Sequence, residues 1–324
     1  MDAGGPIIVT GAAGFIGAAL SARLLDRGET VIGVDCFNDY YDPMLKEART
    51  ATLTARPGFR MIRMDIAEAE AFAALIRDSG TRRIVHLAAQ AGVRYDNPFA
   101  YERSNMAGHL SVLEACRHAG RLITHLVYAS SSSVYGDRPM GEAFSEDAPL
   151  ADPASLYAAT KRSAELMSAV YANLYGQPQS GLRFFTVYGP WGRPDMAYFS
   201  FARKILAGEP IEVFGEGQMA RDFTYVDDII EGIVAVLDRP PPGGQHRVLN
   251  IGGGRPVGLL KMIEILEQSL GVAAQKIMRP MQPGDVTATC ADVSKLQSLT
   301  GYTPTVTLQE GLPRFVEWYR GFYG

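Results

Sequence analysis

Cysteine and lysine are scarce in this 324-residue chain, and it has no long apolar run. Cys36, Cys116 and Cys290 form no CxxC pair, which argues against a disulfide framework or a zinc site. The sequence also lacks the histidine pair or acidic cluster that would suggest another metal. No apolar run reaches transmembrane length, and the first predicted strand begins near Pro6, without room for a signal peptide. We therefore expect a reduced, cytoplasmic protein that binds no metal and enters no membrane.

The net negative charge of the chain argues against partners that are attracted to a positively charged protein surface. The formal net charge is -4 and the pI about 5.8, so no attraction to nucleic acid or anionic membrane is expected. Only six of the 31 basic residues are lysines. Arginine suits carboxylates and phosphates, but a GC-rich genome produces the same bias. Hydrophobic residues make up 47% and charged residues 20%, which is typical of a soluble globular enzyme.

Short β-rich runs alternate with helical patterns through the first half of the chain. The strand candidates are "PIIVT", "TVIGVD", "FRMIRMD", "RRIVHLAA", "THLVYAS" and "GLRFFTVYG". This alternation predicts an α/β fold, a Rossmann-like doubly wound parallel sheet. We expect the sheet domain over residues 1–186 and a smaller C-terminal α/β substrate domain over 187–324. The run "RVLNIGG" predicts a strand near 247–253 that returns to the sheet.

A glycine-rich turn follows the first predicted strand. Gly11, Gly14 and Gly17 in "VTGAAGFIGAAL" permit a tight turn and close approach of a pyrophosphate to a helix N-terminus. Glycines also serve plain turns, but Asp35 ends the second strand 18 residues later, near the position of a ribose-binding acid. That carboxylate would repel a 2′-phosphate, which favours NAD over NADP. Asp65, after the third strand, is where an adenine contact is expected.

A tyrosine and a lysine lie four residues apart in "YAATK", on one face of a predicted helix. The spacing alone is weak, because chance gives roughly 0.3 such pairs in this composition. Its position after the strand end "SSSSVYG" strengthens it. A lysine ammonium and a bound nicotinamide would favour the phenolate of Tyr157, which could then take a proton from a sugar hydroxyl. Lys161 is therefore the predicted partner of Tyr157. His86 follows an apolar strand and is predicted to be a packed core residue, not a base.

These motifs together resemble the extended short-chain dehydrogenase/reductase family, whose members act on nucleotide sugars. Longer strings narrow the resemblance to the branch that epimerises UDP-glucuronate at C4: "FNDYYDPMLKEAR", "HLAAQAGVRY", "GLRFFTVYGPWGRPDMA" and "RDFTYVDDI". The resemblance implies a UDP-sugar substrate, bound NAD and a homodimer with a four-helix interface. It also implies further cofactor contacts at Phe15, Ile16, Asn38, Ile66, Leu87, Ala88, Ala89, Asn105 and Ser130.

The serines of "SSSSVYG" indicate which reaction of the family is expected. By resemblance, Ser131 is the catalytic hydroxyl, four residues before Tyr135. Dehydratases of the family carry Asp and Glu at the next two positions, and decarboxylases carry Glu at the second. Ser132 and Ser133 cannot act as acids, so epimerisation of UDP-glucuronate to UDP-galacturonate is expected. A neutral UDP-hexose as substrate, or decarboxylation, remain the alternatives.

The sequence also predicts which cationic and hydroxyl side chains contact the substrate. Arg193 is expected to grip the sugar carboxylate, although an arginine in a Gly/Pro stretch is commonly a solvated loop residue. The resemblance further implies sugar contacts at Arg94, Ser132, Ser133 and Thr186, a diphosphate contact at Arg221 and a uridine-ribose contact at Asp285. An ion pair with Asp222, Asp227 or Asp228 is the competing interpretation of Arg221.

Overall fold

The computed structural model describes residues 4–93, 95–137, 141–282 and 284–324. The strands are β1 (Ile7–Thr10), β2 (Val31–Asp35), β3 (Phe59–Arg63), β4 (Arg83–His86), β5 (His125–Ser131), β6 (Gln179–Phe184), β7 (Thr186–Tyr188), β8 (Ile211–Phe214), β9 (Ala220–Tyr225), β10 (His246–Ile251), β11 (Pro256–Gly258) and β12 (Lys276–Arg279). The helices are α1 (Phe15–Asp26), α2 (Pro43–Thr54), α3 (Ala69–Ser79), α4 (Pro98–Tyr101), α5 (Gly108–Ala119), α6 (Leu156–Tyr175), α7 (Ala197–Leu206), α8 (Val226–Leu237), α9 (Leu259–Leu270), α10 (Ser294–Thr300) and α11 (Leu308–Tyr323).

The described residues form a seven-stranded central sheet in the order β10-β6-β5-β4-β1-β2-β3. Every pairing in it is parallel. The predicted Rossmann-like fold is therefore confirmed. The strand order reverses next to β1, where β2 lies on one side and β4 on the other. In such sheets a crevice opens at this point, beyond the carboxyl ends of the strands.

Burial on both faces explains why β1 and β2 are mostly apolar. Alternate residues of β1 point to opposite faces. Ile7 and Val9 pack in a cluster with α1 and α8, whereas Ile8 packs in another with α3 and α5. Burying an aliphatic side chain fully is worth about 1.5–3 kcal/mol, so these two layers fix the sheet between the helices.

The apolar run "GLRFFTVYG" is two strands, although the sequence predicts one. β6 lies in the central sheet, and β7 pairs with β9 in a second sheet within the described part of the chain. The break falls at Phe185, whose ring packs with Phe144 in a separate apolar cluster. The predicted returning strand is confirmed, because β10 pairs with β6. Within the described ranges, none of the helices combines the length and apolarity needed to span a membrane.

Candidate active site

A cavity of about 610 Å³ opens beyond the carboxyl ends of the central strands. It runs from the glycine turn after β1, past the end of β5, to the segment around residues 284–289. It brings together most of the predicted site residues: Gly11, Gly14, Phe15, Ile16, Gly17, Asp35, Asn38, Asp65, Ile66, Leu87, Ala88, Ala89, Ser130, Ser131, Ser132, Ser133, Tyr157, Lys161, Thr186, Arg193, Arg221 and Asp285.

Among the predicted site residues that the structure describes, Asn105 is the one that does not line the cavity. Asn105 is buried behind the wall, on a π-helical turn between α4 and α5. Its amide accepts from the Gln90 backbone N–H and donates to the Gln90 carbonyl and to Thr160. Asn105 therefore holds Gln90, which does line the cavity. Arg94 lies outside the described residues.

The glycine turn is built for close backbone packing. Gly11 has φ +71°, in the left-handed region, and a Cβ on Gly17 would lie 2.0 Å from the Gly11 carbonyl oxygen. Helix α1 starts directly after Gly14, without a side-chain cap, and its first turn faces the cavity. Backbone N–H groups and the positive end of the helix dipole therefore face a space that suits a dinucleotide pyrophosphate.

Asp35 is held in a fixed orientation at the end of β2. Its carboxylate accepts from the backbone N–H groups of Ala13 at 3.1 Å and Phe37 at 2.8 Å. A carboxylate facing the cavity here fits the ribose diol of NAD, which donates two hydroxyl hydrogens. The residues present therefore fit this cofactor.

Sequence reasoning missed Lys46, which also lines this end of the cavity. Its ammonium donates to the backbone and side-chain oxygens of Asn38 at 2.7 and 2.6 Å, and burial lowers its pKa. The signal was present in the sequence. Lys46, Arg49, Thr50 and Leu53 recur at helical spacing, and all four are buried on one face of α2.

The four serines at the end of β5 are not equivalent. Ser130 donates to the Glu165 carboxylate at 2.5 Å, and Glu165 forms a buried bidentate pair with Arg183. The Ser131 hydroxyl accepts from the Ser133 N–H and hydroxyl. The block ends β5, as the sequence predicts, and continues into a 3₁₀ turn over Ser132–Tyr135.

Tyr157 and Lys161 lie one turn apart near the start of α6. The Lys161 ammonium is 5.9 Å from the centre of the Tyr157 ring and donates to the Ala129 carbonyl. Burial lowers the pKa of Lys161 to about 8, although the Glu165 charge opposes this. Burial raises the pKa of Tyr157, whereas the Arg193 charge and a hydrogen bond with Ser131 lower it. In the protein alone desolvation outweighs the nearby charges and favours the phenol; the expected phenolate depends also on the charge of a bound nicotinamide.

Arg193 lies in the same cavity as Tyr157. Its guanidinium makes a bidentate pair with Asp195 at 3.0 and 2.9 Å, and Tyr40 donates to the same carboxylate at 3.2 Å. Arg193 is thus a half-buried cation in the wall, not the solvated loop residue of the competing interpretation. Its fork already matches a carboxylate.

The far end of the cavity holds Arg221 and Asp285. Arg221 donates to the carbonyls of Ala220 and Thr287. The neighbouring Asp222 carboxylate accepts from three backbone N–H groups, those of Gly253, Gly254 and Ala291. Asp228 likewise binds the segment 305–306. These acids therefore have structural partners of their own.

His86 is buried and its imidazole hydrogen-bonds to the Thr10 hydroxyl at 2.8 Å. Burial lowers its pKa well below the usual range, so the ring is neutral. It lies at the end of β4 in the core, as predicted.

Comparison with known proteins assigns a family to this fold and site. A model described as the NAD dependent epimerase/dehydratase family matches residues 7–252. The UDP-glucuronate 4-epimerase 4 of Arabidopsis thaliana is 47% identical, over 98% of this chain and 76% of the relative. The probable UDP-glucuronate 4-epimerase of Rhizobium meliloti is 44% identical, over 96% of each chain. A crystal structure of UDP-glucuronic acid 4-epimerase from Bacillus cereus, in complex with UDP-glucuronic acid and NAD, superposes with a TM-score of 0.91 at 37% identity. That match covers 98% of this chain and 100% of the other.

Proposed function

The chain belongs to the NAD dependent epimerase/dehydratase family, and from this premise we propose that it interconverts UDP-glucuronate and UDP-galacturonate. The reaction passes through a transient 4-ketone without loss of CO₂. Bound NAD supplies the chemistry of accepting a hydride from C4 and returning it. The observation that carries the proposal is a cation, Arg193, in the same cavity as the Tyr157–Lys161 pair.

Tyr157 is the group that removes the proton from the 4-hydroxyl. Ser131, which interacts with Tyr157 and lowers its pKa, offers a second hydroxyl to the same substrate oxygen. Lys161 stabilises the phenolate through its charge and is anchored by the Ala129 carbonyl, which keeps the ammonium near the ring. These three side chains hold and move one proton at the C4 oxygen.

The carboxylate on C5 makes the 4-ketone a β-keto acid, which loses CO₂ readily. An epimerase must hold that carboxylate so that the C–C bond to it does not align with the carbonyl π system. Arg193 supports this task because a fork that already binds Asp195 can take the sugar carboxylate in the same bidentate way. Thr186, Ser132 and Ser133 supply neutral hydroxyls in the same cavity.

Side chains at positions 132 and 133 favour epimerisation over the related reactions. Protonation of a departing 6-hydroxyl needs an acid, and Ser132 and Ser133 are hydroxyls with no carboxyl group. At the other end of the cavity, Arg221 and Asp285 are proposed to bind the diphosphate and the uridine ribose.

We also propose a homodimer through α5 and α6. Leu166, Val170 and Leu174 are 63%, 53% and 64% exposed and follow one another at four-residue spacing along α6. Met167 and Tyr171 pack instead against their own chain. This exposed apolar stripe on α6, which packs beside α5, suits pairing with the same helices of a second copy.

The test is an NMR assay of purified protein with UDP-glucuronate and no added cofactor. UDP-galacturonate is the expected product, and a pentose ketone or UDP-xylose as main product would contradict the proposal. Arg193→Ala should impair turnover of UDP-glucuronate far more than any turnover of UDP-glucose. Arg203→Ala, an exposed change on α7, is the matched control. Equal losses on both sugars would favour a neutral UDP-hexose as the substrate.

A further inference from the structure

Arg49 is a buried arginine that the proposed reaction does not use. Its residue is 1% exposed, on the inner face of α2. The guanidinium donates to the Ala13 carbonyl at 3.1 Å and the Tyr41 hydroxyl at 2.7 Å. It also donates to the Trp191 carbonyl at 3.1 and 2.5 Å and to the Gly192 carbonyl at 3.0 Å. These bonds involve all three nitrogens of its fork.

The partners of Arg49 come from two segments that also carry residues lining the cavity, Gly11 and Gly14 in one and Arg193 in the other. Ala13 lies inside the glycine turn, between Gly11 and Gly14. Trp191 and Gly192 immediately precede Arg193, the proposed carboxylate-binding residue. A single rigid group therefore connects the dinucleotide turn to the segment that carries the substrate cation.

The backbone at Trp191 needs such support. Its φ is +62°, in the left-handed region that a bulky side chain rarely adopts. Such a conformation persists only where its surroundings impose it. The Trp191 carbonyl takes two Arg49 donors, while the indole packs on Trp318 and Phe322 of α11.

Charge pairing does not explain this position. Among the described residues, the hydrogen-bond acceptors of Arg49 are three carbonyl oxygens and one phenol. Burying a guanidinium without a carboxylate is costly, so a site selected only for packing would favour an apolar side chain. Lysine has the charge but not the planar fork that reaches two loops at once.

We propose that Arg49 is a positioning residue that sets the spacing between the dinucleotide turn and Arg193. This inference rests on the proposed function, because it takes Arg193 as the group that holds the sugar carboxylate. Without the Arg49 hydrogen bonds, the position of Arg193 becomes less fixed and Arg193 binds the sugar carboxylate more weakly. Binding of the uridine end of the substrate does not change. The 4-ketone then loses CO₂ more often before the hydride returns: the bond from C5 to the carboxylate breaks, C5 takes up a proton, and the cofactor is left reduced.

The experiment compares Arg49→Lys with Arg56→Lys, a matched change just beyond the same helix. Arg56 bridges the Ala22 carbonyl and Asp26, away from the cavity. Affinities for UDP-glucuronate and for UDP are measured by calorimetry in a Tyr157→Phe background, which prevents turnover. For Arg49→Lys we expect about tenfold weaker UDP-glucuronate binding, UDP binding within about twofold of the parent, and less NAD retained through desalting.

The product ratio is the second readout. Arg49→Lys with Tyr157 intact should release a measurable pentose ketone per turnover, whereas Arg56→Lys should match the parent. If Arg49→Lys folds poorly, Tyr41→Phe removes one acceptor and should change the same readouts in the same direction, less strongly. A folded variant with unchanged UDP-glucuronate affinity, NAD content and product ratio would overturn the inference. Failure of the parent protein to epimerise UDP-glucuronate would instead overturn the proposed function.

Discussion

Replacing Lys161 by methionine tests whether the positive charge of Lys161 stabilises the phenolate form of Tyr157. The ammonium lies 5.9 Å from the centre of the Tyr157 ring. With the phenolate charge placed at the ring centre and an effective dielectric constant of about 20, the two unit charges interact by about 3 kcal/mol. Loss of that energy lowers the phenolate fraction at a given pH by ~100-fold, and kcat should fall by the same factor. The acid limb of the pH–rate profile should move to higher pH.

The assay is single-turnover epimerisation of UDP-glucuronate across a pH series, with bound NAD measured in each sample. Lys261→Met, which removes an exposed lysine of α9, is the control and should leave the profile unchanged. A Lys161→Met profile that falls in height but keeps its acid limb in place would refute the electrostatic reasoning. It would mean that Lys161 acts by position alone.

The same variant should be more stable than the parent at neutral pH. Burial lowers the pKa of Lys161 from 10.5 to about 8, which corresponds to about 3 kcal/mol of destabilisation. Between those two pH values the unfolded chain binds more protons, so stability rises with pH there and the penalty is fully present below about 8. Thermal melts should show the gain of Lys161→Met at pH 7 shrinking as the pH approaches 10.5.

Three further changes extend the account. Asp195→Asn removes the carboxylate that competes with the substrate for Arg193. It should tighten UDP-glucuronate binding by about two- to fivefold in calorimetry, because a partly exposed ion pair is worth up to about 1 kcal/mol. Unchanged or weaker binding would show that Asp195 does not compete with the substrate. Asp35→Asn should weaken NAD binding by about 10- to 100-fold, since hydrogen bonds to a charged group are worth about 1.5–3 kcal/mol; NAD still bound after gel filtration would argue against this role. Leu166→Glu should shift the protein from dimer to monomer in sedimentation, and an unchanged dimer would place the interface elsewhere.

Local patterns made much of the fold predictable. The continuous apolar strands, the glycine turn and Asp35 at a strand end are properties of short segments whose geometry depends on neighbours in the chain. The split of "GLRFFTVYG" was not predictable in this way. It depends on Phe185 packing against Phe144, a residue 41 positions away that belongs to a different segment.

The site residues also fall into those that local spacing predicts and those that it does not. Tyr157 and Lys161 share a helix, so their spacing alone placed them together. The partners of Arg49 come from the turn after β1 and from residues 191–192, and no local pattern links them. Asp195 is two residues from Arg193, yet its competition for the fork follows from backbone geometry, not from spacing.

The central claim is that one hydride leaves C4 and returns to the same carbon from within the protein. The most direct measurement uses UDP-glucuronate carrying deuterium at C4, incubated with the purified protein in ordinary water. The account predicts UDP-galacturonate that retains the deuterium at C4, because the hydride never exchanges with solvent. UDP-galacturonate in which hydrogen from water has replaced the deuterium would contradict it.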